Sequence, residues 1–146
     1  MNTEFESASW EETFELARTL AGKACPGQII ALDGDLGVGK TVFAQGFADG
    51  LGITEDVNSP TFTILQVYES GRLPLYHFDA YRIGDPEEMY EIGFEDYFYG
   101  EGVTLIEWAE LIEELLPEDC IRIRIEKDLE KDFDYRRITI HENHCN

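Results

Sequence analysis

Between residues 34 and 41 the chain reads Gly34-Asp35-Leu36-Gly37-Val38-Gly39-Lys40-Thr41, a complete G-x-x-x-x-G-K-[ST] match. Such a stretch works only between a strand and a helix, where its backbone N–H groups can converge on an anion. Gly34 and Gly39 allow backbone angles and a close approach that a Cβ forbids. Lys40 supplies a cation for β- and γ-phosphates, and the Thr41 hydroxyl suits a magnesium ion. The flanks agree: Gln28 to Asp33 is an apolar run of strand length, and Phe43, Phe47 and Leu51 recur at helical spacing after the loop. A helix starting there puts its partial positive charge under the phosphates. A chance match in a glycine-rich turn would lack these flanks.

The 146 residues, 43% of them hydrophobic, are expected to form one domain over 1–146 with a single sizeable core, about 141–146 being a polar tail. A net charge of −20 repels phosphate backbones and argues against this chain gripping nucleic acid by itself. Solvated carboxylates and a basic protein partner account for it equally well. Cys25, Cys120 and Cys145 are widely spaced without a C-x-x-C, so neither a disulfide framework nor a zinc knuckle is indicated, and a reducing cytoplasm fits. His141, His144 and Cys145 read as a frayed polar end rather than a metal cluster. Residues 1–7 lack the basic and apolar regions of a signal peptide, and no apolar run reaches membrane-spanning length.

Along the chain, Ser9 and Glu12 form a capping box for a first helix with Trp10, Phe14, Ala17, Ala21 and Ala24 on one face, stopped at Cys25-Pro26-Gly27. Gly50 and Gly52 end the second helix. The runs 63–68 and 73–78, separated by Glu69-Ser70-Gly71-Arg72, predict an antiparallel hairpin, so the sheet is expected to be mixed. Asp85-Pro86-Glu87-Glu88 starts a helix, and 93–98 forms a second short one. Val103 to Ile106 is a buried strand ending in Glu107, followed by a helix bearing Leu111, Ile112, Leu115 and Leu116 up to Pro117. Ile121, Ile123 and Ile125 alternate with polar residues in a half-buried strand, and 135–140 returns beside it. The fold class is α/β, a P-loop NTPase-like three-layer core with a mixed parallel and antiparallel sheet.

Ligands of an open α/β sheet collect at the carboxyl ends of its strands, where Asp79 and Glu107 stand. Phosphoryl transfer needs a phosphate cradle, Mg²⁺, a carboxylate for the metal and a group to orient the attacking atom. The two acids fill the last two roles, with Thr61 and His77 as further polar candidates. Spacing leaves both acids open as the metal ligand; Glu107 is favoured because the run before it is the more apolar. The Asn-Lys-x-Asp pattern that reads guanine is absent, which favours ATP.

GDLGVGKT at 34–41, SPTF at 59–62, HFDAYR at 77–82, GFEDYF at 93–98 and IEWAE at 106–110 together resemble the ordered motifs of the TsaE family of bacterial ATPases. The resemblance spans roughly residues 9–140. It implies a P-loop ATPase required for threonylcarbamoyladenosine at position 37 of tRNA, working with the TsaD–TsaB complex and meeting tRNA only through it. It implies that the loop from Asp35 to Val42 (Asp35, Leu36, Gly37, Val38, Gly39, Lys40, Thr41 and Val42) binds ATP. It further implies that Thr41 and Glu107 ligate Mg²⁺, that Asp79 is needed for hydrolysis, that Ser59 to Phe62 with Thr61 acts as a switch, and that Trp108 supports the site. Trp10, Glu11 and Arg136 are the nearest matches to residues that flank the nucleotide in that family.

Two other functions fit the phosphate loop alone. A small-molecule kinase would use Asp79 as base and Arg82 on the transferred group, yet little chain remains for an acceptor pocket. A non-catalytic ATP-dependent adaptor would need no pair of strand-end acids.

Overall fold

Ile29-Ile30-Ala31-Leu32 offers water no polar side chain on either face, so the strand it forms belongs at the centre of a sheet covered on both sides. The computed structural model describes residues 2–34, 39–57, 64–128, 130–131 and 133–142, without the side chains of Asn2 and Arg82. Within it, strands β1 (Asn2–Ser7), β2 (Ile29–Asp33), β3 (Leu65–Tyr68), β4 (Leu75–Asp79), β5 (Val103–Glu107), β6 (Ile121–Glu126) and β7 (Arg136–His141) form one seven-stranded sheet in the order β1-β7-β6-β2-β5-β4-β3. The four central strands are parallel, and β3 and the β7–β1 pair add antiparallel edges. The mixed α/β sheet is therefore as expected. Asp35, Leu36, Gly37 and Val38, the segment Ser59 to Phe62 with Thr61, and residues 143–146 lie outside the described residues. β7 runs through His141, so the first residue of the expected tail is part of the sheet.

Alternation along the central strands divides the core in two. Ile30, Leu32, Leu75, Val103 and Leu105 pack toward helices α1 (Trp10–Gly22) and α2 (Lys40–Gly50). Ile29, Ala31, Phe78 and Ile106 pack on the other face against the short helices α3 (Glu87–Ile92) and α4 (Phe94–Phe98) and a 3-10 segment, Ala109–Leu115. Helices thus cover both faces of the sheet, giving three layers.

The Ser9 cap forms as read, Ser9 Oγ accepting from Glu12 N at 3.2 Å, while Glu12 Oε1 reaches one residue further back than a capping box requires and accepts from Ala8 N at 3.2 Å. Trp10 departs from the expected buried face. It stands 63% exposed, edge-on to Phe14, and lines an open cavity instead of the core. Helices α1 and α2 meet at glycines: a Cβ on Gly46 would lie 2.3 Å from the Phe14 carbonyl oxygen, and one on Gly50 equally close to that of Arg18. Only hydrogen fits between the two backbones there. This contact fixes the N-termini of both helices on the same side of the sheet, above the ends of the parallel strands.

Two elements differ from expectation. The segment after β5 is a 3-10 helix with a break at Ile112, not an α-helix, and Leu111 is exposed. Trp108 starts it in the left-handed region (φ +59°), and the break falls at Ile112, whose φ of −127° lies outside the helical range. Strand β1 was not anticipated, since Phe5 is the one large apolar residue between Asn2 and Ser7. Its place is held by pairing with β7 and by polar contacts, Arg137 Nε to Glu4 at 2.9 Å and Tyr135 Oη to Glu6 at 3.0 Å.

Candidate active site

Gly39 caps α2 in the left-handed region (φ +109°) with no side-chain cap, and the first turn holds no acidic residue. The first N–H groups of α2 are thus unopposed by any local carboxylate, as an anion site requires. Thr41, half-buried, is the second residue of this turn.

Lys40 is buried, and its ammonium makes no hydrogen bond. It lies 3.6 Å from the centroid of the Trp108 ring. The left-handed turn at Trp108, at a cost of about 1 kcal/mol, sets that ring under the lysine, with Tyr81 packed against it at 5.0 Å. Burial pulls the Lys40 pKa below its ordinary value, and the charges of Glu107, Glu110, Asp79 and Asp33 partly restore it. A cation without a hydrogen-bond acceptor, surrounded by carboxylates at some distance, is suited to receive an anionic group.

Asp79 and Glu107 are register partners at the ends of β4 and β5. Leu75 on β4 and Leu105 on β5 face α1 and α2, and side chains two residues apart share a face, so both acids project toward the start of α2. Both are buried. Asp79 Oδ1 accepts from Tyr81 N at 3.1 Å, and Glu107 Oε2 lies 2.6 Å from His77 Nε2. Two carboxylates and a threonine hydroxyl beside a helix N-terminus are oxygen donors of the kind Mg²⁺ takes.

Trp10, Glu11, Gly39, Val42 and Arg136 line one cavity of about 420 Å³, together with Ser9, Thr13 and Asp134. The structure therefore gathers the three flanking residues named by resemblance next to the end of the phosphate loop. The Arg136 guanidinium also donates to the Phe133 and Tyr135 carbonyls at 2.7 and 2.8 Å, tying the β6–β7 turn to the cavity wall. Asp134, between β6 and β7, joins this lining without any sequence pattern that marks it. Gln45, also unread, donates to the Val57 carbonyl at 3.0 Å and anchors the chain just before the expected switch.

A further acid emerged only from the fold. Asp33, the last residue of β2, points away from α2, toward the Ala109–Leu115 segment. Its pKa is raised to about 7, first by burial, then by the hydrogen bond and negative charge of Glu110, against the lowering influence of Arg122 and Arg124. Glu110 is held below its usual range chiefly by that same bond, so the shared proton resides on Asp33. Since the folded pKa exceeds the unfolded value, the folded state holds a proton that the unfolded chain releases, and stability from this group is lost as pH rises from about 4 to about 7. Asp33→Asn is expected to raise the melting temperature at pH 8 by more than at pH 5; an equal change at both would contradict the shared proton.

Among the described residues no group of three or more His, Cys, Asp or Glu side chains is placed to hold a metal ion, and no helix is long and apolar enough to cross a membrane.

Residues 7–138 match the family model described as threonylcarbamoyl adenosine biosynthesis protein TsaE. The tRNA threonylcarbamoyladenosine biosynthesis protein TsaE of Bacillus subtilis is 54% identical over 117 residues, covering 80% of this chain and 73% of that protein. The protein of the same name from Treponema pallidum is 48% identical over 99 residues, covering 68% and 73%, and that from Rickettsia bellii is 40% identical over 126 residues, covering 86% and 87%. The crystal structure of Bacillus subtilis YdiB superposes with a TM-score of 0.84 at 43% identity, covering 97% of this chain and 86% of that one.

Proposed function

The chain belongs to the TsaE family, and from that membership we propose that it is a magnesium-dependent ATPase of tRNA threonylcarbamoyladenosine biosynthesis. Its single domain acts in the cytoplasm with the TsaD–TsaB complex, and the complex, not this chain, grips the tRNA around adenosine 37. Lys40 carries most of the weight. A buried ammonium without an acceptor, at an uncapped helix start beside two strand-end acids, is costly unless an anion comes to it. ATP phosphates are that anion. Lys40 and the first N–H groups of α2 meet the phosphate oxygens, and the loop Asp35 to Val38 continues the cradle.

Thr41 and Glu107 would hold Mg²⁺, which when bound neutralises charge on the phosphates and fixes their geometry. Asp79, at the same level of the sheet as Glu107, orients the attacking water. Thr61, in the segment that follows the Gln45-anchored chain at Val57, responds to the γ-phosphate. The nucleoside occupies the cavity of Trp10, Glu11, Val42 and Arg136, where an exposed indole offers a stacking face.

Charge distribution supports a protein partner. Every charged residue from Ile83 to Cys120 is acidic, so the layer built by α3, α4 and the 3-10 segment is negative throughout. Docking onto a basic protein face is favoured by such a layer, and contact with tRNA is opposed by it. The switch segment from Val57 to Thr63 contains no Arg or Lys, so transition-state charge beyond what Lys40 and Mg²⁺ meet must be balanced from outside. Phosphate release from Mg-ATP is the test. It should be slow for the isolated chain, rise with TsaD–TsaB and tRNA, and lose that rise at high salt as association weakens. Full turnover by the isolated chain, unchanged by the complex, would return weight to a kinase.

A further inference from the structure

His77 lies on β4 two residues before Asp79 and is completely buried. Leu75 and Leu105, its neighbours on the same face of the sheet, are buried leucines, and Leu105 is its register partner on β5. Packing alone would be served there by another aliphatic side chain. The imidazole instead makes one hydrogen bond, between Nε2 and Glu107 Oε2 at 2.6 Å, and its Nδ1 has no partner. A polar ring kept in an apolar setting for a single bond, with its other nitrogen unsatisfied, points to that bond as its purpose. A carboxylate only accepts, so Nε2 carries the proton and donates.

We infer that His77 is a positioning residue that fixes the Glu107 carboxylate for the metal of the bound nucleotide, an inference that rests on the reading of Glu107 as a magnesium ligand. Anchoring Oε2 fixes the plane of the carboxylate and therefore the direction of Oε1. A glutamate has three side-chain torsions, and an unanchored one would sample several carboxylate orientations, of which one suits a cation held jointly with Thr41. The bond comes from behind, from the strand that also delivers Asp79, so β4 supports both acids: one directly, the other through the histidine. Groups that orient metal ligands in this way typically govern metal affinity by about 10- to 100-fold.

Two amide variants separate positioning from packing. The Gln side chain can place its NH₂ where His77 Nε2 lies, whereas Asn reaches only as far as the position of Nδ1. Nucleotide affinity is measured by calorimetry with a non-hydrolysable ATP analogue, in EDTA and in MgCl₂, and the ratio of the two affinities reports the metal alone. His77→Gln should keep the wild-type ratio, while His77→Asn and His77→Leu should reduce it by about tenfold, with metal-free affinity unchanged in all three. Equal ratios in the Gln and Asn variants, or a wild-type ratio in a folded His77→Leu protein, would overturn the inference. Glu107→Gln serves as the control: a wild-type ratio there would overturn the metal-ligand reading itself, whereas a lost ratio there beside an intact one in His77→Asn would overturn only the role of the histidine.

Discussion

Lys40→Met is expected to lower kcat/KM for ATP by about a thousandfold while leaving the unliganded protein at least as stable as the wild type. The two halves of this result have one cause. The Lys40 ammonium is buried, lacks a hydrogen-bond acceptor, and has a pKa pulled below the ordinary lysine value by burial. A group whose folded pKa lies below its unfolded one destabilises the fold at neutral pH, and that cost is relieved only as pH rises toward the lysine range. Methionine has similar length and keeps contact with the Trp108 ring, so packing is preserved while the uncompensated charge is removed. Nothing then remains at that point to balance charge developing on the transferred phosphoryl group. Melting curves with and without Mg-ATP, together with phosphate release, check both halves. A variant that loses stability as well as turnover would mean that Lys40 is a structural residue.

The second large effect separates the two strand-end acids. Glu107→Gln should weaken Mg²⁺-dependent nucleotide binding, whereas Asp79→Asn should bind Mg-ATP normally and hydrolyse it about a hundredfold more slowly or worse. Both side chains leave the sheet at the same level toward α2, so position along the strands does not distinguish them. Their hydrogen bonds do. One Glu107 oxygen is tied to a buried imidazole, which holds the carboxylate in the rigid orientation that a metal requires. Asp79 accepts instead from the backbone of the turn that follows it, at Tyr81. Loss of a ligand costs affinity, and loss of a water-orienting group costs rate. Metal dependence that is lost in Asp79→Asn and retained in Glu107→Gln would reverse the assignment.

Most of what positions the site was legible because it is local. The apolar runs before Gly34 and Glu107, the helical spacing after Thr41, and the alternation of Ile121, Ile123 and Ile125 each depend on residues within one element, and each of these elements formed where its pattern lies. The misreadings share a different origin. Leucine spacing after Trp108 is compatible with an α-helix, yet the chain there forms a 3-10 segment broken at Ile112, directly after a tryptophan that packs on Lys40 and Tyr81. Trp10 has the periodicity of a core residue but lines the cavity formed with Gly39, Val42 and Arg136, which come from distant parts of the chain. Strand β1 has almost no apolar pattern, and the partner that holds it lies at the far end of the chain. Contacts between distant residues were invisible for the same reason: His77 with Glu107, and Asp33 with Glu110, meet only once β4 and β2 are placed beside β5.

Phosphate release from Mg-ATP by the isolated chain, and by the chain with TsaD–TsaB and tRNA, tests the central claim most directly when Asp79→Asn is run beside the wild type. A slow Mg²⁺-dependent rate that rises with the complex and is lost in Asp79→Asn is the predicted result; release that is indifferent to the complex, or that survives in Asp79→Asn, would contradict it.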